Sequence, residues 1–379
     1  MHLDPDMEFI RQVKASGGDT LKNCYQCATC SVVCNLAPKN NPFPRQQMAL
    51  AQWGLKERLL GDPGIWLCHQ CNDCATYCPR EARPGDVLAS LRSLSFQHYA
   101  FPSFMGKALA NPGALPVLFL VPILILLGLL IGSSGGDLSY LLQFQGKVDY
   151  ARAFPHGILE MIFIGGNAFI FAFAAVGLFR FWTNLKSHSP DQQNGFIPSL
   201  VGTLAEIIPH QKFAQCVENK PRYLGHLLIF YGFIGAMMTA GLALFFTVIL
   251  EMLGSSFYLE SPINFPHPIK ILGVLSGIAL IIGGLILISR RMTGKDEIST
   301  SGYSDWLFLV VIFLVGLTGM LAWILRLVEI PIIAYADYYA HQVLVFFLLW
   351  YAPYSKFAHM FYRTLALIYA KSTGRDRPR

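Results

Sequence analysis

Six apolar stretches, at roughly residues 114–132, 158–182, 224–250, 269–289, 305–328 and 341–368, follow Asn111-Pro112, and each nears or exceeds the ~20 residues that a bilayer core requires. Several reach that length with no internal charge, which is unusual for a helix buried in a water-soluble core. A chain so patterned is expected to fold as a helical membrane bundle, because backbone groups in hydrocarbon must pair within their own helix. Composition agrees: 54% of the 379 residues are hydrophobic and only 14% are charged, against ~25% in soluble domains. The mean hydropathy is +0.44.

The region up to residue 107 has a different character. It holds 11 Lys and Arg, 9 Asp and Glu, and all the clustered cysteines. Candidate helices run from Asp6 to Ala15, from Arg45 to Leu60 and, after Pro84-Gly85, from Asp86 to Gln97. Alternating β-branched runs and Asn-Gly turns are missing, so the expected fold is all-α. Residues 1–107 read as a helical two-cluster ferredoxin-like domain, and residues 108–379 as a six-helix transmembrane bundle.

Basic residues in the connecting loops give the orientation. Loops 183–222, 290–303 and 369–379 carry eleven Lys and Arg, whereas loops 133–157, 251–268 and 329–340 carry only Lys147 and Arg152. Both termini are therefore expected in the cytoplasm, with the chain a multi-pass protein of the inner membrane. No basic-apolar-cleavage segment precedes the cysteines, so secretion is not expected, and a reducing compartment disfavours disulfides. The net charge of +6 is spread over loops and the C-terminus rather than gathered in an aromatic-rich patch, which makes nucleic acid a poor partner.

Eight of the nine cysteines repeat one spacing: Cys24-x2-Cys27-x2-Cys30-x3-Cys34 and Cys68-x2-Cys71-x2-Cys74-x3-Cys78-Pro79. The second run matches the bacterial ferredoxin pattern through its proline. Three cysteines at steps of three wrap three corners of an iron-sulfur cubane, and in two-cluster ferredoxins the fourth ligates the other cluster. One [4Fe-4S] cluster is thus assigned to Cys24, Cys27, Cys30 and Cys78, and a second to Cys68, Cys71, Cys74 and Cys34. Structural zinc prefers separated Cys-x2-Cys pairs that close one tetrahedron. Cys216 stands alone and reads as a free thiol.

Histidines supply the second motif. His341 and His359 are 18 residues apart in the last apolar stretch, which on one continuous helix gives five full turns and a rise of about 27 Å, with one imidazole near each membrane surface. Ionisable residues in such helices face the bundle interior and mark function, and two stacked haems fit this arrangement. His226 begins the third apolar helix at the depth of His359, so this pair is expected to ligate an inner haem. For His341 the outer partner is His156 or His267, with His156 preferred. His188 and His210, in a polar loop, read as solvated. His267 and Lys270 offer donors to a quinone carbonyl at the outer end of the fourth helix, and Glu160 is a candidate proton relay; interfacial anchoring and a satisfied helix carboxyl are the alternatives.

These residues resemble a known group of redox proteins. Cys24 to Cys34, the following Asn35-Leu36-Ala37-Pro38, and Cys68 to Pro79 look like HdrC, the iron-sulfur subunit of heterodisulfide reductase. The remainder looks like HdrE and NarI, the cytochrome b subunits of heterodisulfide and nitrate reductases; His341, His359 and His226 match the nitrate reductase cytochrome. That cytochrome has a further histidine where this chain has Ala236, so the outer haem's second ligand does not carry over. Fusion of the two modules is similar to the QmoC family, the membrane subunit of the quinone-interacting membrane-bound oxidoreductase. The resemblance implies haem b, menaquinol or menaquinone as substrate, QmoA-like and QmoB-like flavin and iron-sulfur partners, and electron exchange with adenylylsulfate (APS) reductase.

The expected function is therefore electron transfer between quinol and a soluble partner, through haems and two clusters. An alternative within the same class is the membrane module of a heterodisulfide reductase. From another class, a transporter or receptor with a metal-sensing domain would call for broken helices or inverted repeats, and no such repeat is visible.

Overall fold

The computed structural model describes residues 4–38, 41–188, 193–214, 220–293 and 302–375. Cys216 lies outside them, as do the side chains of His156 and His188. The described residues are helical and contain no β-strand. The N-terminal region is built from eight helices: α1 (Met7–Ala15), α2 (Thr29–Val33), α3 (Arg45–Gln52), α4 (Lys56–Leu60), α5 (Gly64–Leu67), α6 (Asp73–Thr76), α7 (Pro84–Tyr99) and α8 (Ser103–Ala110).

Local chemistry sets these boundaries. Asp6 caps α1, its carboxylate accepting the Phe9 N–H at 2.8 Å. The single helix expected over Arg45 to Leu60 is instead two. Gly54 adopts φ +68°, and a Cβ there would stand 2.8 Å from the Asp6 carbonyl, so the chain turns where only glycine fits. Helix α7 starts at Pro84, where the missing N–H costs nothing. It pins its neighbours by satisfying carbonyls near their C-terminal ends: the Ser90 hydroxyl donates to Val13 O at 2.8 Å and that of Ser95 to Leu60 O at 3.0 Å.

Among the described residues six helices are long and apolar enough to cross a membrane: Pro112–Ser133, Gly157–Ser187, Pro221–Met252, Pro268–Met292, Tyr303–Leu327 and Pro331–Trp350. The sixth corrects the expected span at 341–368. It begins ten residues earlier, because Tyr335, Asp337, Tyr338 and Tyr339 lower the local hydropathy without stopping the helix. It then ends at Trp350 and gives way to 3₁₀ turns at Ala352–Tyr354 and Lys356–Ala358, separated by the extended Ser355. Pro353 brings no N–H and cannot continue an α-helix. A separate helix, His359–Ser372, follows. His341 and His359 therefore lie on different helices, and the phase relation expected for one continuous helix does not hold.

The bundle packs by close approach and by supplied hydrogen bonds. A Cβ at Gly283 in the fourth span would stand 2.8 Å from the Gly225 carbonyl of the third, the small-residue contact that lets membrane helices approach. Pro122 interrupts the first span and leaves the Leu118 carbonyl without its helical donor. The buried Tyr351 hydroxyl donates to that carbonyl at 3.1 Å, tying the end of the sixth span to the first. Two π-helical turns, Met161–Gly166 and Phe245–Ile249, interrupt the second and third spans.

The apolar core around the N-terminal helices also includes Phe181 and Leu185 from the second span and Tyr362, Ala366 and Tyr369 from the last helix. Trp66, fully buried, stacks on Tyr362 at 5.9 Å and meets Phe181 edge-on at 6.0 Å. The last helix is further fixed by the Glu206 carboxylate, which pairs with both Lys371 (2.8 Å) and Lys212 (3.1 Å).

Candidate metal centres

The two cysteine runs follow one backbone track. Gln26 and Ala28 have φ of 61° and 69°, and Gln70 and Asn72 have 55° and 67°; each pair stands two and four residues after the first cysteine of its run. These left-handed residues curl the loop so that successive amides face inward, the arrangement that forms anion-binding concavities around iron-sulfur sites. Each run then enters a short helix one residue before its third cysteine, α2 at Thr29 and α6 at Asp73.

Helices α2 and α6 pack on each other. Across this contact the fourth cysteine of each run comes within charge range of cysteines of the opposite run. Cys78 is a charge neighbour of Cys24, while Cys68 and Cys71 are the cysteine neighbours of Cys34. Cys74 senses Cys68, Cys71 and Cys34, and also Cys30 of the first run. Hydrogen bonds reach the sulfurs as well: the Gln70 N–H donates to Cys68 Sγ at 3.2 Å, and the Gln26 side-chain amide to Cys24 Sγ at 3.5 Å. Among the described residues no three of these side chains are gathered closely enough to hold a metal ion; it is the donor chemistry and the loop shape that fit two cubane clusters.

Burial differs from thiol to thiol within the runs: Cys30 is buried, Cys27 exposed and the other six half-buried. Desolvation pushes Cys34 up to about 12 and Cys74 well above the ordinary thiol value. Cys30 is raised to about 11 and Cys24 less, again by burial first. Cys27 is exposed and is lowered by hydrogen bonds from the Thr29 hydroxyl and amide.

The histidines are distinguished by their tautomers. The Thr318 hydroxyl donates to Leu314 O at 2.7 Å, so it accepts from His341 Nδ1–H at 2.9 Å. Gly319 makes room for the ring, since a Cβ there would lie 3.0 Å from His341 Cε1. His359 Nδ1 donates to the Lys356 carbonyl, which can only accept. In both, Nδ1 carries the proton and Nε2 keeps its lone pair, as a metal-ligating imidazole requires. These two rings would be able to hold a haem iron through Nε2. His267 has the opposite tautomer: its Nδ1 accepts the Ile269 N–H at 3.3 Å and caps the fourth span, so a neutral ring carries its proton on Nε2 and is a donor.

His226 has His359, Arg222 and Arg363 among its charged neighbours. His210, expected in solvent, is half-buried instead. Its ring meets His226 edge-on at 5.0 Å and Phe230 at 4.7 Å, because the loop after the helix Phe196–Ile207 folds back over the third span. Lys270 lies 5.1 Å from the Trp323 ring. Glu160 stands on the second span where the π-helical turn begins, and among the described residues no hydrogen bond or ion pair joins it to His267 or Lys270.

Residues 20–82 match the 4Fe-4S dicluster domain family. The chain carries an HdrC-like ferredoxin domain. The HdrC-type subunit of the H2:CoB-CoM heterodisulfide,ferredoxin reductase of Methanothermobacter thermautotrophicus is 38% identical over 109 residues, 27% of this chain and 59% of that protein. The HdrE-type subunit of the dihydromethanophenazine:CoB-CoM heterodisulfide reductase of Methanosarcina thermophila is 32% identical over 158 residues, 39% of this chain and 58% of that protein. The chain thus spans about three fifths of each of these relatives. Citrate utilization protein B of Escherichia coli is 27% identical over 388 residues, which cover 96% of this chain and 93% of that protein. No solved structure matches. With its six apolar helices and a membrane-subunit homologue, this is a multi-pass membrane protein with an iron-sulfur domain.

Sequence reasoning missed three residues around the second cysteine loop and the inner histidines, His69, Arg222 and Arg363, and misplaced His210. A signal for two was present. Arg222 precedes His226 by four residues and Arg363 follows His359 by four, one helical turn in each case.

Proposed function

We propose that this chain is the membrane electron-transfer component of a quinone-linked oxidoreductase complex, with a cytoplasmic two-cluster unit over residues 1–107 and a di-haem cytochrome b bundle over 108–379. The observation that carries this is the matched tautomer of His341 and His359, each held through Nδ1–H with Nε2 free, in a chain that also bears a dicluster domain. When bound, haem b and the clusters supply one-electron chemistry. The chain positions them. His226 and His359 hold the inner haem, and His341 with His156 the outer one. Cys24, Cys27, Cys30 and Cys78 hold the first cluster; Cys68, Cys71, Cys74 and Cys34 hold the second.

At the outer surface the protonated Nε2 of His267 and the Lys270 ammonium orient a quinol oxygen, and Glu160 takes up a proton as menaquinol is oxidised. The basic loops keep the clusters in the cytoplasm, where QmoA-like and QmoB-like flavin proteins receive the electrons for delivery to APS reductase. The test is the optical spectrum and metal content of the purified protein. A b-type band and about eight non-haem irons per chain are expected. A colourless or zinc-dominated preparation sinks the proposal.

The near full-length similarity to citrate utilization protein B favours a second reading, in which the same electron path serves use of a small carboxylate. Partner-containing membranes separate the two: haem oxidation by APS supports the first, and a haem redox change driven by a citrate-class carboxylate supports the second.

A further inference from the structure

We infer that Arg222 and Arg363 form a two-armed latch that holds the second cysteine loop against the inner haem site, making the second cluster the haem's direct electron partner. The inference rests on the haem and cluster assignment proposed above.

Arg222 stands one turn before His226 on the third span, and its guanidinium donates to the Gln70 carbonyl. Arg363 stands one turn after His359 on the last helix. It donates to the Cys68 carbonyl at 3.2 Å, to the Leu67 carbonyl at 3.4 Å and to the His69 ring at 2.7 Å. These four acceptors all belong to residues 67–70, the segment that presents Cys68 and leads to Cys71. The two helices that carry the inner histidines thus each extend one guanidinium to the same loop. Helix α5, which precedes it, packs on the last helix, so the loop is held from its backbone and from its flank.

The first cysteine loop has a different anchor. The Gln52 amide, from α3 within the N-terminal region, donates to the Cys24 carbonyl at 2.8 Å and the Leu21 carbonyl at 3.1 Å. Its Cys27 is exposed, and Tyr25 and Tyr77 beside it are 68% and 62% exposed. The order that results is inner haem, second cluster, first cluster, soluble partner. Each transfer across the latch moves one electron: ferrous haem iron is oxidised, the oxidised cluster is reduced, and no proton moves or bond changes. Two guanidinium charges near the loop also favour the more negative, reduced cluster, which raises its potential.

The experiment uses the intact protein with haem and iron content verified, comparing Arg222→Gln, Arg363→Gln and Arg363→Lys. In each Gln variant the midpoint potential of the second cluster is expected to fall while that of the first stays put. Electron transfer from the inner haem should slow at least ~10-fold as the loop loosens, and amide hydrogen exchange over residues 67–70 should rise. Arg363→Lys, which keeps the charge and loses the fork, should restore the potential and not the exchange protection. Equal shifts in both clusters, or none in either, overturn the latch. So does reduction of the first cluster by the inner haem at an unchanged rate in Cys34→Ser protein lacking the second. Absence of haem or cluster signals from the unaltered protein would instead defeat the underlying assignment.

Discussion

The two cysteine runs share a spacing, a pair of left-handed residues and a short helix at the third cysteine, yet their surroundings differ. The second is braced by Arg222 and Arg363 from two membrane helices, and its four cysteines are all half-buried. The first is held from within the N-terminal region and leaves Cys27 exposed. Identical spacing therefore gives the two runs the same loop, while the neighbouring helices give each loop its own anchor. A relay needs that difference, because two clusters in identical surroundings would provide no direction.

The largest effect that sharpens this comparison is expected from Cys34→Ser. It should remove the second cluster and about four of the roughly eight non-haem irons, leaving the spectrum of the first intact. Loss of the first cluster instead would show that each run closes its own cube. Next in size, His359→Ala should abolish the inner haem band while both clusters assemble; an unchanged optical spectrum would place that haem on other ligands.

A smaller effect concerns pH in the cluster-free protein. Burial raises Cys34 to about 12 and Cys30 to about 11, from an ordinary value of 9.0. Above pH 9 the unfolded chain releases these protons while the folded chain retains them, so stability is complete below pH 9 and declines as pH rises through 11 to 12. Denaturant midpoints measured across that range should fall, and Cys34→Ala or Cys74→Ala should flatten the slope more than Cys27→Ala. Equal flattening by all three would erase the contrast in burial. The smallest effect is at the rim of the first loop, where Arg80 lies over the Tyr25 ring at 4.2 Å and donates to its hydroxyl. Arg80→Ala should cost about 0.5 kcal/mol of stability, and the cluster potentials should not move. A larger loss, read from denaturant midpoints, would mean that the first loop is less independent than its exposure suggests.

Much of this was legible beforehand for physical reasons. Apolar length alone predicts five of the six spans within a few residues, since a bilayer imposes one dimension on every helix. The cysteine spacing likewise prescribes the loop geometry, because three ligands at steps of three leave few backbone tracks. Prediction failed where one residue interrupts a regular pattern: Gly54 divides α3 from α4, and Pro353 separates His341 from His359. His210 was misjudged because polarity in a loop says nothing about what the loop folds against.

The sequence by itself determined the membrane bundle, the all-α class and the two cysteine loops, since those depend on residues within one helix or one short run. Tertiary structure alone decided where the ring of His341 finds its Nδ1 partner and which loop the arginines grip. Those outcomes depend on partners far apart in the chain: Arg363 and Cys68 are 295 residues apart, and His341 Nδ1 finds its partner in a hydroxyl on another span. A hydrogen bond needs its partner within about 3 Å in a defined direction, and only the packing of helices supplies that.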